Sequence, residues 1–104
     1  MRALGVDLGE RRIGIALSDP TGVIASPHSV LARGGDHAAD HAGIIRLARE
    51  AEVSMIVVGV PRSLSGHQGP SERMALAEIE EIARAAGACE PSIAVEGYDE
   101  RLTT

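Results

Sequence analysis

At 104 residues the chain has the length of one domain, enough to bury roughly 60 to 70% of the surface its unfolded form exposes. Ten basic against fifteen acidic residues give a formal net charge of −5, which excludes a uniformly basic nucleic-acid binder and makes the distribution of charge the informative quantity. Phe and Trp are absent and Tyr98 is the single aromatic of its kind, so base stacking is excluded as a binding device and the core must be built from Ile, Val, Leu, Ala and Met.

All ten basic residues are Arg, the better bidentate phosphate ligand, although a GC-rich genome gives the same usage. Residues 1–35 carry four arginines against three acids, whereas residues 72–100 carry eight acids against Arg73 and Arg84. Cys89 stands alone, which rules out an intrachain disulfide and fits a reducing compartment. The N-terminus lacks the regions of a signal peptide, and the longest apolar run, Met55 to Val60, is far short of the ~20 residues of a membrane span. A soluble cytoplasmic protein with no membrane partner is expected.

In chain order, Ala3 to Leu8 alternates, with Leu4, Val6 and Leu8 on one side and Ala3, Gly5 and Asp7 on the other, which predicts a strand. Arg12 to Ser18 repeats the pattern, its Ile13, Ile15 and Leu17 facing away from the small Gly14 and Ala16. The loop Gly9 to Arg12 suits an antiparallel hairpin. Asp19-Pro20-Thr21-Gly22 reads as a type I turn, and Val23 to Val30 as a third strand, with Pro27 marking an edge or a bulge. After Gly34-Gly35, the spacing predicts a helix over about 36–51 with an apolar stripe of Ile44, Ile45, Leu47, Ala48 and Ala51, capped by Asp36 or Asp40. Val53 to Val60 reads as a strand covered on both faces. Pro70 suits the first turn of a second helix, with a stripe of Ala75, Ile79, Ile82, Ala83 and Ala86, with Glu72, Glu78 and Glu81 mostly off it, and an end at Gly87. Ser92 to Glu96 reads as a fifth strand. The order β-β-β-α-β-α-β gives an α/β fold: three antiparallel strands, then crossover units, a mixed sheet with helices on its faces.

Asp7 stands near the end of the first strand and before Gly9, so its carboxylate points to a site that backbone approaches closely. A charge in an otherwise apolar strand needs a partner: a cation bound from solution, or Arg12 or Arg101. Asp99 and Glu100 gain meaning with Asp7, because hard cations take oxygen ligands and metal-assisted phosphodiester cleavage needs carboxylates converging from separate elements. The plainer reading is a solvated acidic loop with Thr103 or Thr104 capping a following helix, and Glu100 is the better ligand of the two acids. The segment from Gly59 to Pro70 joins a strand to a helix N-terminus, where free amides, Gly66, Gly69 and Arg62 suit a phosphate. It lacks Gly-Lys-[Ser/Thr], and Gly with Pro is also ordinary turn chemistry. His37 and His41 are four apart, a spacing from which zinc sites start, but without a third ligand they read as a solvated first turn. Arg33, Arg46, Arg49, Arg73 and Arg84 read as a solvated face.

Three segments together carry a resemblance. Gly5-Val6-Asp7-Leu8-Gly9 with Arg12-Ile13-Gly14-Ile15-Ala16-Leu17-Ser18-Asp19, then Val58-Gly59-Val60-Pro61 through Gly66 and Gly69, then Asp99-Glu100-Arg101-Leu102-Thr103-Thr104 resemble, in order and over the whole chain, the YqgF/RuvX family. Its members are bacterial RNase H-like proteins described as pre-16S ribosomal RNA nucleases or as Holliday junction resolvases. The resemblance implies a Mg²⁺ (or Mn²⁺) nuclease with Asp7 and Glu100 as metal ligands, Asp99 beside them, and Gly9, Arg11, Arg12, Arg62, Gly66, Gly69 and Arg101 along the nucleic acid. The substrate would be a structured RNA precursor or branched DNA, and a homodimer fits the resolvase alternative. Family members continue past Asp-Glu-Arg-Leu-Thr-Thr into helices, one with a further acidic residue. Residues 1–104 are therefore expected to form a single RNase H-like domain truncated after that motif, with impaired cleavage. Two other classes remain: the actin and sugar-kinase ATPase fold, which shares the Asp-x-Gly opening, and a non-catalytic RNA or ribosome-assembly module docking through Arg11, Arg12 and Arg62.

Overall fold

The structure is a computed structural model and describes residues 2–18, 24–60 and 69–99. The elements are β1 (Ala3–Leu8), β2 (Arg12–Ser18), β3 (Ile24–Ala32), α1 (His37–Glu50), β4 (Met55–Val60), α2 (Pro70–Gly87) and β5 (Ala94–Asp99). They form a five-stranded mixed sheet in the order β3-β2-β1-β4-β5. β1 pairs antiparallel with β2, Val6 opposite Ile15 and Asp7 opposite Gly14, and parallel with β4, which pairs parallel with β5. The expected turn at Asp19 to Gly22 lies outside the described residues.

The sheet is two-sided because its side chains are. Leu4, Val6, Ile13, Ile15, Ile56 and Val58 share one face and join Ile44 and Ala48 of α1 and Ile82 and Ala86 of α2 in one buried cluster. Complete burial of a Leu, Ile or Val side chain is worth about 1.5–3 kcal/mol, so these rows fix where the helices lie. The opposite rows, Ala3-Gly5-Asp7, Gly14-Ala16 and Met55-Val57-Gly59, are half-buried or exposed. Both described helices thus cover a single face, rather than one face each. β4 likewise alternates between buried and half-buried positions instead of being covered on both sides; its uninterrupted apolar run hid an ordinary period of two.

Pro27 marks both of the features expected of it. β3 is an edge strand, and its register slips so that Ile15 faces Ser29 while the next residue, Ala16, faces Pro27. β5 runs three residues beyond the expected Glu96, to Asp99, across Gly97. A Cβ there would lie 3.2 Å from Val60 Cγ2 and at an ordinary 3.7 Å from Ile79 Cδ1, so this glycine makes room for the Val60 side chain of β4 rather than ending the strand. Of the two candidate caps, Asp36 accepts the Ala38 amide at 3.0 Å, and Asp40 is used elsewhere. Gly87 is the last residue of α2, and the cap is Ala88 in ordinary αR geometry.

α1 closes with Glu52 N–H donating to Arg49 O (3.1 Å) and Val53 N–H to Ala48 O (3.1 Å), the two bonds of a Schellman cap. Glu52 occupies the left-handed position at φ 57°, where glycine is preferred. Replacing Glu52 with Gly should stabilise the fold by about 0.5–1 kcal/mol, the relief of strain exceeding the entropy given to the unfolded chain; urea denaturation of the two proteins measures it.

Candidate active site

The parallel strands β1, β4 and β5 end at one edge of the sheet, the place where open α/β sheets bind ligands. Asp7, the penultimate residue of β1, is exposed there. A Cβ added to Gly14 would lie 3.6 Å from Asp7 Cβ, so the carboxylate stands over a strand that offers no bulk. Among the described residues no ion pair reaches Asp7, and Arg12, a partner considered from the sequence, is itself exposed and unpaired with it. An open carboxylate without a protein cation keeps its oxygen lone pairs available for a hard metal ion.

The loop after Asp7 is tightly built. Gly9 N–H donates to Arg12 O at 2.9 Å, and a Cβ on Gly9 would come within 2.6 Å of that oxygen, so only glycine closes this turn. The Gly9 amide is used by the turn itself, which presents Arg11 and Arg12 as exposed side chains. On the other side of β1, β4 and β5 pair to their last residues, Val60 opposite Asp99. Asp99 thus ends β5 at the same edge, two strand spacings or about 9–10 Å across the sheet from β1. Its place opposite Val60 puts it in the helix-facing row, while Asp7 lies in the alternate row with Gly59. Gly69 is the N-cap of α2, with Pro70 at the first helical position and no side-chain cap. Arg62, Gly66, Glu100 and Arg101 lie outside the described residues. Glu96, not singled out from the sequence, is exposed opposite Val57 and adds a carboxylate to the Asp7 face.

A second polar cluster lies beneath this edge, at the junction of the helices. Arg33, expected on a solvated face, has a side chain only 13% exposed. Its Nε donates to Gly9 O at 2.7 Å, and its amide donates to Arg11 O at 2.9 Å. Its Nη1 and Nη2 donate to Glu78 Oε2 and Oε1 at 2.8 and 3.0 Å, and Nη1 reaches Asp40 Oδ2 at 3.4 Å. Asp40 also accepts the Gly34 amide. His41 is buried rather than solvated, with Nε2 2.8 Å from Glu78 Oε2; the ring N–H donates, because an ionised carboxylate only accepts. Burial pushes the Glu78 carboxyl up, but the hydrogen bonds from Arg33 and His41 and the Arg33 charge outweigh it and hold the group below its ordinary 4.5. The Glu78 hydrogen bonds raise the Arg33 guanidinium in turn, against the opposing effect of burial. A spacing signal for these residues existed. His41 continues the Ile44 and Ala48 stripe at three and seven residues, and Glu78 lies between Ala75 and Ile82 on the α2 stripe, where buried polar groups must find each other.

The family model described as "RuvX: Holliday junction resolvase" matches residues 1–104. The chain belongs to the RuvX family. A relative from Anaeromyxobacter named "Putative pre-16S rRNA nuclease" is 47% identical over 104 residues, all of this chain and 72% of that protein. One of the same name from Nocardia farcinica is 39% identical over 108 residues, 99% of this chain and 58% of that protein. The RuvX chain thus spans between about half and three quarters of such relatives. Among solved structures, Thermus thermophilus RuvC in complex with Holliday junction substrate superposes with a TM-score of 0.67 at 12% identity, covering 97% of this chain and 66% of that one, a likeness of fold. The expected RNase H-like architecture and strand order are borne out.

Removing Arg33 leaves two buried carboxylates without their cation. Arg33→Met should cost about 3–5 kcal/mol at neutral pH, measured by denaturant unfolding. Because Glu78 titrates below its unfolded value, its contribution is complete above about pH 4.5 and is lost as the pH falls through the lower folded value. Glu78→Gln should therefore be less stable at pH 7 and should show a shallower loss of stability on acidification.

Proposed function

We propose that this chain carries the catalytic sheet of a metal-dependent nuclease that hydrolyses phosphodiester bonds, with the 5′ region of a pre-16S ribosomal RNA as substrate. The observation that carries the reading is the exposed Asp7 carboxylate, without a protein cation among the described residues, at the edge where β5 ends at Asp99, the residue before Glu100 in sequence. Asp7 and Glu100 are the metal ligands in this reading, with Asp99 beside them. Mg²⁺, with Mn²⁺ as its substitute, fits an all-oxygen donor set. The ion, when bound, supplies Lewis-acid polarisation of the scissile phosphate and a water of lowered pKa. Arg11 and Arg12 contact the nucleic-acid backbone from the tight Gly9 turn. Arg62, Arg101 and the amides around Gly66 and Gly69 hold further phosphates.

RNA is favoured over branched DNA because the 47% identical relative, matched along this whole chain, is named for pre-16S rRNA, whereas the resolvase structure shares 12% identity. Junction cleavage, the activity in the family description, is the second reading and calls for a homodimer presenting two sites. The protein acts in the cytoplasm; no helix among the described residues is long and apolar enough to cross a membrane.

The test is cleavage of a pre-16S transcript and of a four-way DNA junction with Mg²⁺, using this chain beside the Anaeromyxobacter relative. The transcript should be cut and the junction spared. Asp7→Asn should lower the rate by about 100-fold or more, the loss of several kcal/mol of charge stabilisation. Undiminished cleavage by Asp7→Asn would refute the site. Salt-sensitive RNA binding with no cleavage by either protein would leave a binding module instead.

A further inference from the structure

We propose that His37, His41 and Glu78 form a zinc site that clamps α1 to α2, separate from the Asp7 edge. One donor atom from each of these three side chains lies within 4.8 Å of the others. His37 and His41 stand one helical turn apart on α1, the spacing with which a helix offers two imidazoles to one ion. Their ring centroids are 5.7 Å apart and the planes are inclined by 40°, so the rings converge rather than stack. Glu78 supplies the third donor from the neighbouring helix.

The chemistry of the set selects the ion. Two imidazoles and a carboxylate suit zinc and its neighbours, whereas Mg²⁺ prefers oxygen alone. Asp40 and Glu78 face the guanidinium of Arg33, and Glu81 faces His37, while Arg46, Arg49 and Glu50 line the adjoining groove. With neutral imidazoles the carboxylates Asp40, Glu50, Glu78 and Glu81 outnumber the guanidiniums of Arg33, Arg46 and Arg49 by one, a balance that favours a cation. Arg33 holds both oxygens of Glu78, Nη2 on Oε1 and Nη1 on Oε2 at 3.0 and 2.8 Å, and Oε2 also accepts from His41 Nε2. A metal displaces the His41 hydrogen bond, and the Arg33 bonds then serve as the outer hydrogen bonds that fix a ligating carboxylate.

Zinc replaces the hydrogen bond between Nε2 and Oε2, whose atoms part from 2.8 Å to the ~3.3 Å of tetrahedral donors. His41 passes to its Nδ1–H tautomer, which frees the Nε2 lone pair without changing its charge. Tetrahedral zinc places its donors about 3.3 Å apart at bond lengths near 2.0–2.1 Å, so the set must close by roughly 1.5 Å, within the reach of the His37 side chain, which is 53% exposed. The fourth position faces a groove of about 650 Å³ between the helices. Glu81 lines it with its Oε2 3.5 Å from His37 Nδ1, outside the group of three donors, so the fourth position is left to water or to a shift of this exposed carboxylate.

Calorimetric titration of the metal-stripped chain with Zn²⁺ in millimolar Mg²⁺ tests this. One zinc per chain is expected with a dissociation constant at or below about 10 µM, and a rise in Tm of about 5–10 °C at 100 µM Zn²⁺. Co²⁺ should give the visible absorption of a four-coordinate ion and lose it on addition of zinc. His37→Ala, which leaves the Arg33 network untouched, should keep the far-UV spectrum and weaken zinc binding at least about tenfold. Asp7→Asn should bind zinc as the parent does. Absence of saturable binding below about 100 µM, full affinity in His37→Ala, or loss of affinity in Asp7→Asn would each overturn the proposal.

Discussion

The guanidinium of Arg33 is the point at which the separate parts of this domain meet. Its hydrogen bonds reach the turn after β1 through Gly9, the first turn of α1 through Asp40, and the middle of α2 through Glu78. These segments are remote in sequence, and the helix stripes they bring together are short and rich in Ala, Ile and Leu, side chains that fit one another in several offsets. A bidentate Arg–carboxylate pair fits in one geometry only. A buried ion pair is no guarantee of stability against an apolar substitute. What it fixes here is placement, of the helices against each other and of the Gly9 turn against both.

The sheet divides its labour by row. Rows of Leu, Ile and Val facing the helices meet the demand for buried area, and rows of Ala and Gly on the other side leave room at the edge where Asp7 stands. With so little bulk on that side, an exposed carboxylate there incurs little desolvation. In the proposed site a sequence without Phe or Trp would meet phosphates with arginines and amides around an edge, with no need for a stacking platform.

Much of this was legible in the chain. Alternation in β1 and β2 gave both the strands and the facing of each side chain, Pro27 announced the edge and the bulge, and Asp7 was recognisable as a charge in an otherwise apolar strand, on the row away from Leu4 and Val6. The failures share a cause. β5 read as ending at Glu96, short of Gly97, because glycine's use in making room for a side chain of the neighbouring strand depends on what lies across the sheet. β4 read as two-sided because an unbroken apolar run conceals its period. Arg33, His41 and Glu78 read as surface because each was judged within its own element, and their partners lie seven, thirty-seven and forty-five residues away or are supplied by backbone. Buried polarity becomes readable only when two helices are considered as a pair.

That pairing bears on the edge itself. Gly9 cannot be replaced without driving a Cβ into Arg12 O, and its carbonyl is held by the side chain that also holds Glu78. The turn carrying Arg11 and Arg12 is therefore anchored to the helical layer by a charge-assisted bond, although the sheet separates Asp7 from that layer. A nuclease site must hold its carboxylates within a fraction of an ångström of the geometry the reaction requires. In this fold the sheet fixes the backbone of Asp7, and the buried pair beneath fixes the turn that follows it, so the stiffness of the edge is borrowed from the interface between the helices.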